Sequence, residues 1–373
     1  MRNFRNRRLT LSTLLLTLLL LACINIDPAP GPEPLPPPTA TPENVINVTP
    51  PPQIAVVVQY YNKVPTAIYH LLGKTAKQQH FAIFTLINRG TTAVRLRLVS
   101  EIIGFTDQAV DTRDLTPGET IQIAQTPTMR AGVREQLNEG QVAAFHYLLT
   151  YLQDGDQKLI DEQTISVDLM SKRDLVVVIV DENGNLVGDF REYVVAWVTP
   201  SSPAVEKLLR DATQYMPDEA IYGYQAGEEG VLPQLAAVYR VLNDDYQIRY
   251  VSTPVSLART DKTFVQRVRL PVETIQQRAG NCIETAALYA SAIEAMDMNP
   301  LLVLVPGHAF VACETDKGSH EYIFIETTAL GSGMTFEDAL RQGAKNWAKF
   351  QSQSMLIDVR RWRSKGILPM PEN

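Results

Sequence analysis

Residues 278–298 read Arg-Ala-Gly-Asn-Cys-Ile-Glu-Thr-Ala-Ala-Leu-Tyr-Ala-Ser-Ala-Ile-Glu-Ala-Met-Asp-Met. Cys282 is the side chain in this stretch that could act as a nucleophile. Gly280 breaks the preceding element, Asn281 is a favoured N-cap, and Glu284 stands three residues on, the spacing of a capping box. Cys282 therefore opens a helix, where unpaired N–H groups and the positive end of the dipole favour thiolate over thiol. By itself such a start reads more readily as a plain core cysteine. The segment that follows changes the balance.

Residues 301–305 read as a buried strand, 308–315 as the next, Asp316-Lys-Gly-Ser as a turn, and 321–328 as the returning strand. Folding that hairpin about Lys317 sets His308 directly opposite Glu326, with Cβ atoms roughly 5 Å apart. A carboxylate there can orient the imidazole and support its cationic form. Phe310, Ala312, Tyr322 and Phe324 share that face. By the period of two, Cys313 points the other way and reads as a buried structural thiol, with no disulfide to Cys282. A thiol at a helix start, a histidine on a strand and a carboxylate beside it are the parts of an activated cysteine nucleophile. Cys282 would attack a carbonyl, His308 would take and return the proton, and Glu326 would fix the tautomer. The N–H of Cys282 can serve an oxyanion, and Gln225 and Gln266 are upstream candidates for a second donor.

The elements that must position these groups are also legible. The helix after Cys282 is apolar nearly all round (Ile283, Ala286, Leu288, Ile293, Met296), so it is buried, with the thiol at its tip. Phe190, Tyr193, Val194 and Trp197 fall at helical spacing, and Ser202-Pro203 is a good helix start. Thr335 caps a further amphipathic helix, with Asp338 at the third position. The cationic segment Ile357-Asp-Val-Arg-Arg-Trp-Arg reads as a solvated face, and Pro369 to Asn373 as a frayed end. Upstream, short alternating strands with turn signals between them run from Ile54 to Leu169, which suggests an antiparallel, immunoglobulin-like β-sandwich. Its histidines, His70, His80 and His146, lie far apart among apolar neighbours and read as satisfied or surface groups. This domain reads as a spacer or binding module.

The pattern Arg278-x-Gly280-x-Cys282 opening a buried helix, then Gly-His-Ala-Phe-Val from Gly307 to Val311, then an acid on the next strand, resembles the bacterial transglutaminase-like superfamily. The resemblance covers roughly residues 205–345. It implies a papain-like fold and a Cys-His-Asp triad, hence thiol acyl transfer: peptide or amide hydrolysis, or cross-linking. Glu326 stands where that family usually carries Asp. Ile283 follows the Cys where animal transglutaminases carry Trp, and no calcium-loop pattern such as D-x-D-x-D-G is present, which argues against calcium-activated cross-linking.

The N-terminus reads as an address. Arg2, Arg5, Arg7 and Arg8 precede a leucine-rich run ending Leu20-Leu21-Ala22-Cys23, the layout of a secretory signal, and too short for the ~20 residues of a permanent span. Cysteine after a small residue resembles the lipobox of bacterial lipoproteins, which implies lipidation of Cys23 and anchoring to a membrane. An ordinary cleaved signal with an incidental Cys is the alternative. Residues 27–52 hold 11 of the 24 prolines and read as an extended stalk. The expected organisation is a signal peptide over 1–22, a proline-rich linker over 23–52, a β-sandwich over 53–171, and an α+β domain over 172–373. Removing the four arginines leaves 30 cationic against 41 acidic residues, a net charge of −11, so nucleic acid is not an expected partner. Two mature-domain cysteines and scattered histidines give no metal-ligand spacing, and no cofactor is expected. The expected activity is thiol-dependent acyl transfer on a peptide or protein, at the outer face of a bacterial membrane. The alternative is an idle site in an envelope scaffold.

Overall fold

The computed structural model describes residues 44–48, 53–153, 156–180, 183, 185–252, 257–260 and 263–372. The range read as a signal peptide, Cys23 and most of the range read as a proline-rich linker lie outside the described residues. Two compact units make up the chain, and together they are mixed α/β. The described part of one is residues 206–251 and 277–359; the other includes residues 35–205, 252–276 and 360–373. Among the described residues, no helix is long and apolar enough to cross a membrane. Nor is any group of three or more His, Cys, Asp or Glu placed to hold a metal ion.

The unit that includes residues 35–205 is built around two sheets. The first has the order β1-β2-β4-β7, from β1 (Asn44–Val48), β2 (Ile54–Tyr60), β4 (Ala82–Asn88) and β7 (Thr120–Gln125). The second has the order β3-β9-β8-β5-β6, from β3 (Lys63–Val64), β5 (Val94–Ile102), β6 (Ala109–Leu115), β8 (Gln141–Gln153) and β9 (Asp156–Leu169). β2 and β4 alternate between buried and half-buried positions, so Val56, Val58, Phe84 and Leu86 face inward. Phe84 meets Tyr147 edge-on at 5.2 Å, and Phe81 meets Phe145 at 4.8 Å, which packs the sheets face to face.

Three expectations about this unit need correction. β1 lies inside the range read as linker: Val45, Ile46 and Val48 give it the β-branched content of a strand, and it pairs antiparallel along β2. The boundary after residue 171 also moves. β10 (Asp174–Val180) is almost wholly apolar and needs cover on both sides. It finds β14 (Thr263–Arg267) in a third sheet, of order β11-β10-β14-β13, with β11 (Leu186–Asp189) and β13 (Leu257–Thr260). Behind it, the 3-10 helix Arg191–Trp197 is buried, and Trp197 Nε1 donates to Val268 O at 2.9 Å. Finally, the C-terminal end is tied down. Met370 N donates to Ala196 O at 2.8 Å, and the Glu372 carboxylate accepts from Thr199 Oγ1 at 2.5 Å and from Ser202 Oγ.

The unit of residues 206–251 and 277–359 carries the cysteine, histidine and glutamate singled out above. Its antiparallel sheet has the order β18-β17-β16-β19, from β16 (Pro300–Val305), β17 (His308–Glu314), β18 (Tyr322–Ile325) and β19 (Met355–Asp358). Helix α2 (Cys282–Ala295) lies against β16 and β17, helix α3 (Phe336–Phe350) against β18, and α1 (Glu228–Arg240) touches both helices. Leu301, Val303, Val305, Phe310 and Ala312 form a buried cluster, with Tyr322, Phe324, Trp347 and Phe350 packed on it. Strand β19 falls where a solvated face was expected: Ile357 is buried and pairs opposite Leu302. A parallel bridge between β12 (Arg249–Tyr250) and β15 (Ala279–Gly280) fixes the chain just upstream of Cys282.

Of the sandwich histidines, His146 pairs with Glu162 at 3.0 Å, but His70 is not satisfied. It sits in the 3-10 helix Thr66–Leu71, and neither ring nitrogen makes a well-formed hydrogen bond. Burial, then the nearby Arg134 and Lys74 charges, push its pKa down to about 4. The unfolded chain takes this proton near ~6.5, before the folded one does. Stability is therefore full above about pH 6.5 and declines as pH falls toward 4. His70→Leu should flatten that decline in thermal melts followed across this window. An unchanged slope would contradict the assignment.

Candidate active site

Cys282 is the first residue of α2. The Asn281 side chain accepts from Glu284 N at 3.1 Å, and Glu284 Oε2 accepts from Asn281 N at 2.9 Å, so both arms of the expected capping box are present. Behind the thiol the helix is buried through Ile293, whereas Cys282 itself is half-buried. Val251 N donates to Gly280 O at 2.9 Å, which extends the β12–β15 bridge toward the site. Cys313 is the other free thiol among the described residues, and it is fully buried on β17.

His308 opens β17 immediately after Pro306-Gly307. Val305 and His308 pair across this two-residue turn, which Gly307 closes at φ 70°, a conformation that favours glycine. The His308 ring stacks on Phe310, with centroids 5.9 Å apart and planes 27° from parallel. Its Nε2 donates to Glu326 Oε2 at 2.7 Å. Cys282 is its other polar neighbour and favours the charged form of the ring.

Glu326 reaches His308 by a route other than the one expected. The β17–β18 register pairs Val311 with Ile325 and Ala312 with Phe324, two residues away from the hairpin centred on Lys317. Continued, that register would bring Thr328 rather than Glu326 opposite His308. Instead β18 ends at Ile325, and Glu326 caps the 3-10 turn Thr327–Ala329. Its Oε1 accepts from Thr328 N at 3.0 Å and from Thr328 Oγ1 at 2.7 Å. Oε2 accepts from His308 and also from Asn346 Nδ2 at 2.7 Å. The diagonal offset makes the longer arm of glutamate the suitable one here.

Burial opposes charge on both partners, and their mutual contacts overcome it. For His308, burial lowers the pKa, but hydrogen bonds to Cys282 and Glu326 and their charges outweigh it and raise the value to about 10. For Glu326, burial raises the pKa, but the His308 bond and charge and the Thr328 donors hold it below the usual carboxylate range. The pair is therefore an imidazolium on a carboxylate at neutral pH, beside a thiol at a helix tip. Thr285 Oγ1, in the first turns of α2, lies 3.0 Å from Thr327 Oγ1, so the cysteine helix and the glutamate turn are tied directly.

Of the two glutamines expected as a second oxyanion donor, Gln225 is not brought to the thiol. Gln225 lies in the 3-10 turn Gly223–Ala226, whose Gly223 sits so close to the far end of α2 that a Cβ there would fall 2.0 Å from Met296 O. The 14 residues of α2 separate that end from Cys282, a span of roughly 20 Å. Gln266 lies on β14 in the other unit, and its amide donates to Arg267 O at 3.2 Å. The N–H groups of Cys282 and Ile283 belong to the helix turn that has no intrahelical acceptor, so they remain the donors at hand. Asn346 and Thr328 are site residues that the sequence reading missed. The available signal was position: Asn346 is a polar residue on the apolar stripe of α3, between Gly343 and Trp347. Replacing Asn281 with Ala should lower the unfolding free energy by about 1–2 kcal/mol in denaturant titrations. Asn281→Ser, which keeps a cap, should lose much less; equal losses would contradict the capping role.

No family model and no curated protein matches the chain. Among solved structures, a protein from Archaeoglobus fulgidus aligns with 34% of this chain and 94% of its own, at 6% identity and a TM-score of 0.20, which is too low to argue from.

Proposed function

We propose that this protein is a thiol-dependent acyl-transfer enzyme in which Cys282 is the nucleophile, His308 the general base and acid, and Glu326 the group that orients the imidazole. The observation that carries the reading is the His308 imidazole bonded to the buried Glu326 carboxylate, with Cys282 at the tip of its helix as the ring's other polar neighbour. The order of these residues along the chain fits the transglutaminase-like, papain-like architecture that the sequence resembles, and the two face-to-face sheets fit an immunoglobulin-like companion domain.

In this reading His308 holds the proton of Cys282, the thiolate sulfur attacks an amide carbonyl carbon, and the Cys282 N–H receives the charge that develops on oxygen. The proton held by His308 passes to the departing amine as the C–N bond breaks, which leaves a thioester and a neutral imidazole. Water, or an amine in cross-linking, then attacks the thioester. His308 removes its proton, and the sulfur leaves as thiolate beside a restored imidazolium. The substrate class is a peptide or protein amide, met outside the cell by a chain anchored to a membrane through lipidated Cys23.

The His308 shift sets the alkaline limit of such a reaction. Above about pH 10 the imidazolium is lost and the leaving amine has no proton donor, so turnover should fall there. Incubation with p-nitrophenyl acetate, read by mass spectrometry, should place one hydroxylamine-labile acetyl group on Cys282. His308→Ala should slow this acylation by about 10²–10⁴-fold. Absence of a Cys282 adduct in the wild-type protein, or equal acylation in His308→Ala, would overturn the enzymatic reading in favour of an idle scaffold.

A further inference from the structure

One face of α3 meets Glu326 and the strand leading into it at three successive inward positions. Glu326 N donates to the carbonyl of Ala339 at 3.1 Å. One turn later, Gly343 lets the helix touch the strand that leads into Glu326. A Cβ there would fall 2.4 Å from Phe324 O and 2.8 Å from Ile325 N, so no larger residue fits this approach. Almost one further turn along, Asn346 Nδ2 donates to Glu326 Oε2 at 2.7 Å, on the same oxygen that His308 uses. Gln342 Nε2 in turn donates to Asn346 Oδ1 at 3.2 Å, which turns the amide so that its NH2 faces the carboxylate. Ala339, Gly343 and Asn346 follow the i, i+4, i+7 spacing of one helix face. Phe324 stacks on Trp347 at 4.6 Å and pins the same contact.

We infer that Asn346 is a positioning residue for the Cys282–His308 pair: by holding Glu326 Oε2 it keeps the carboxylate on His308, with Gln342 fixing the amide and Gly343 admitting the helix. The physical need for it is specific to glutamate. Its side chain has one more rotatable bond than aspartate, and the Thr328 donors engage only Oε1, so without Asn346 the oxygen facing His308 would rest on the imidazole alone. A carboxylate held at both oxygens keeps its orientation when His308 gives up its proton in mid-reaction. This inference deepens the acyl-transfer reading and rests on it only for its kinetic consequence; the anchoring itself is a statement about Glu326 and His308.

The test uses the full-length protein, and reads two quantities on each variant. The first is the titration of His308 by NMR of its imidazole, which needs no substrate. The second is the rate of Cys282 acetylation by p-nitrophenyl acetate. In Asn346→Ala the His308 titration should move down from its wild-type midpoint, and acetylation should slow by about tenfold to a hundredfold, in protein that remains folded. In Asn346→Asp the loss should be present at neutral pH and recover as pH falls and the introduced carboxyl takes a proton, since only then can it donate to Glu326; a residue that merely packs would give no such recovery. Gln342→Met, which leaves the helix face apolar, should reproduce a weaker form of both changes. If wild-type Cys282 is not acetylated but the His308 midpoint still moves in Asn346→Ala, the anchoring stands and the enzymatic reading falls. If acetylation occurs and neither quantity moves in the folded Asn346 variants, the anchoring role is overturned and the reading of the site stands.

Discussion

The carboxylate of Glu326 is 3% exposed, and removing a charged carboxylate from water costs several kcal/mol unless partners replace the lost hydration. Here four donors do so: two from Thr328, one from Asn346 and one from His308. Much of the architecture of this unit follows from satisfying that one group. The strand β18 stops at Ile325 so that Glu326 can cap its own turn. Helix α3 lies close enough to contribute Asn346 because position 343 has no side chain. The imidazole completes the set and is drawn toward the cationic form in return.

That exchange of favours between a buried acid and a histidine is what gives the half-buried thiol its chemical interest. Cys282 stands on a helix, His308 on a strand and Glu326 at a turn, and each is fixed by a different local device. These are a capping box, a two-residue turn closed by Gly307, and the cap made by Glu326 itself. The devices are linked through the antiparallel pairing of β16 with β17 and through the contact of Thr285 with Thr327. In the proposed reading, a site assembled from three separately fixed elements keeps its distances without help from substrate. Preorganisation of that kind lets fixed dipoles act without reorganising during a reaction.

The local signals in the sequence were informative where a residue acts on its immediate neighbours. Asn281 and Glu284 specify the start of α2, Thr335 and Asp338 that of α3, and Ser202-Pro203 the helix Pro203–Ala212. The union of His308 with Glu326 was also legible, although through the wrong register. Hairpin geometry alone could not show that β18 would end early, because the reason lies in the side-chain cap and in α3, thirteen and more residues away. Asn346 escaped for the same cause: nothing near it in sequence says that its amide meets a carboxylate. Gln225 failed because proximity along a chain says little about which end of a 14-residue helix a turn will join. The ownership of residues 172–205 depended on β10 finding β14, a pairing across some ninety residues that composition cannot specify.

The central claim is that Cys282 and His308 act as one charged pair held by Glu326. The pH dependence of Cys282 alkylation by iodoacetamide, in wild-type protein and in His308→Ala and Glu326→Gln, tests it most directly. Mass spectrometry separates this thiol from the buried Cys313. The account predicts that from mildly acidic to neutral pH the wild-type protein is labelled faster than either variant, because only it keeps both the imidazole and its carboxylate partner beside the sulfur. Wild-type labelling that matches His308→Ala across that range would contradict it.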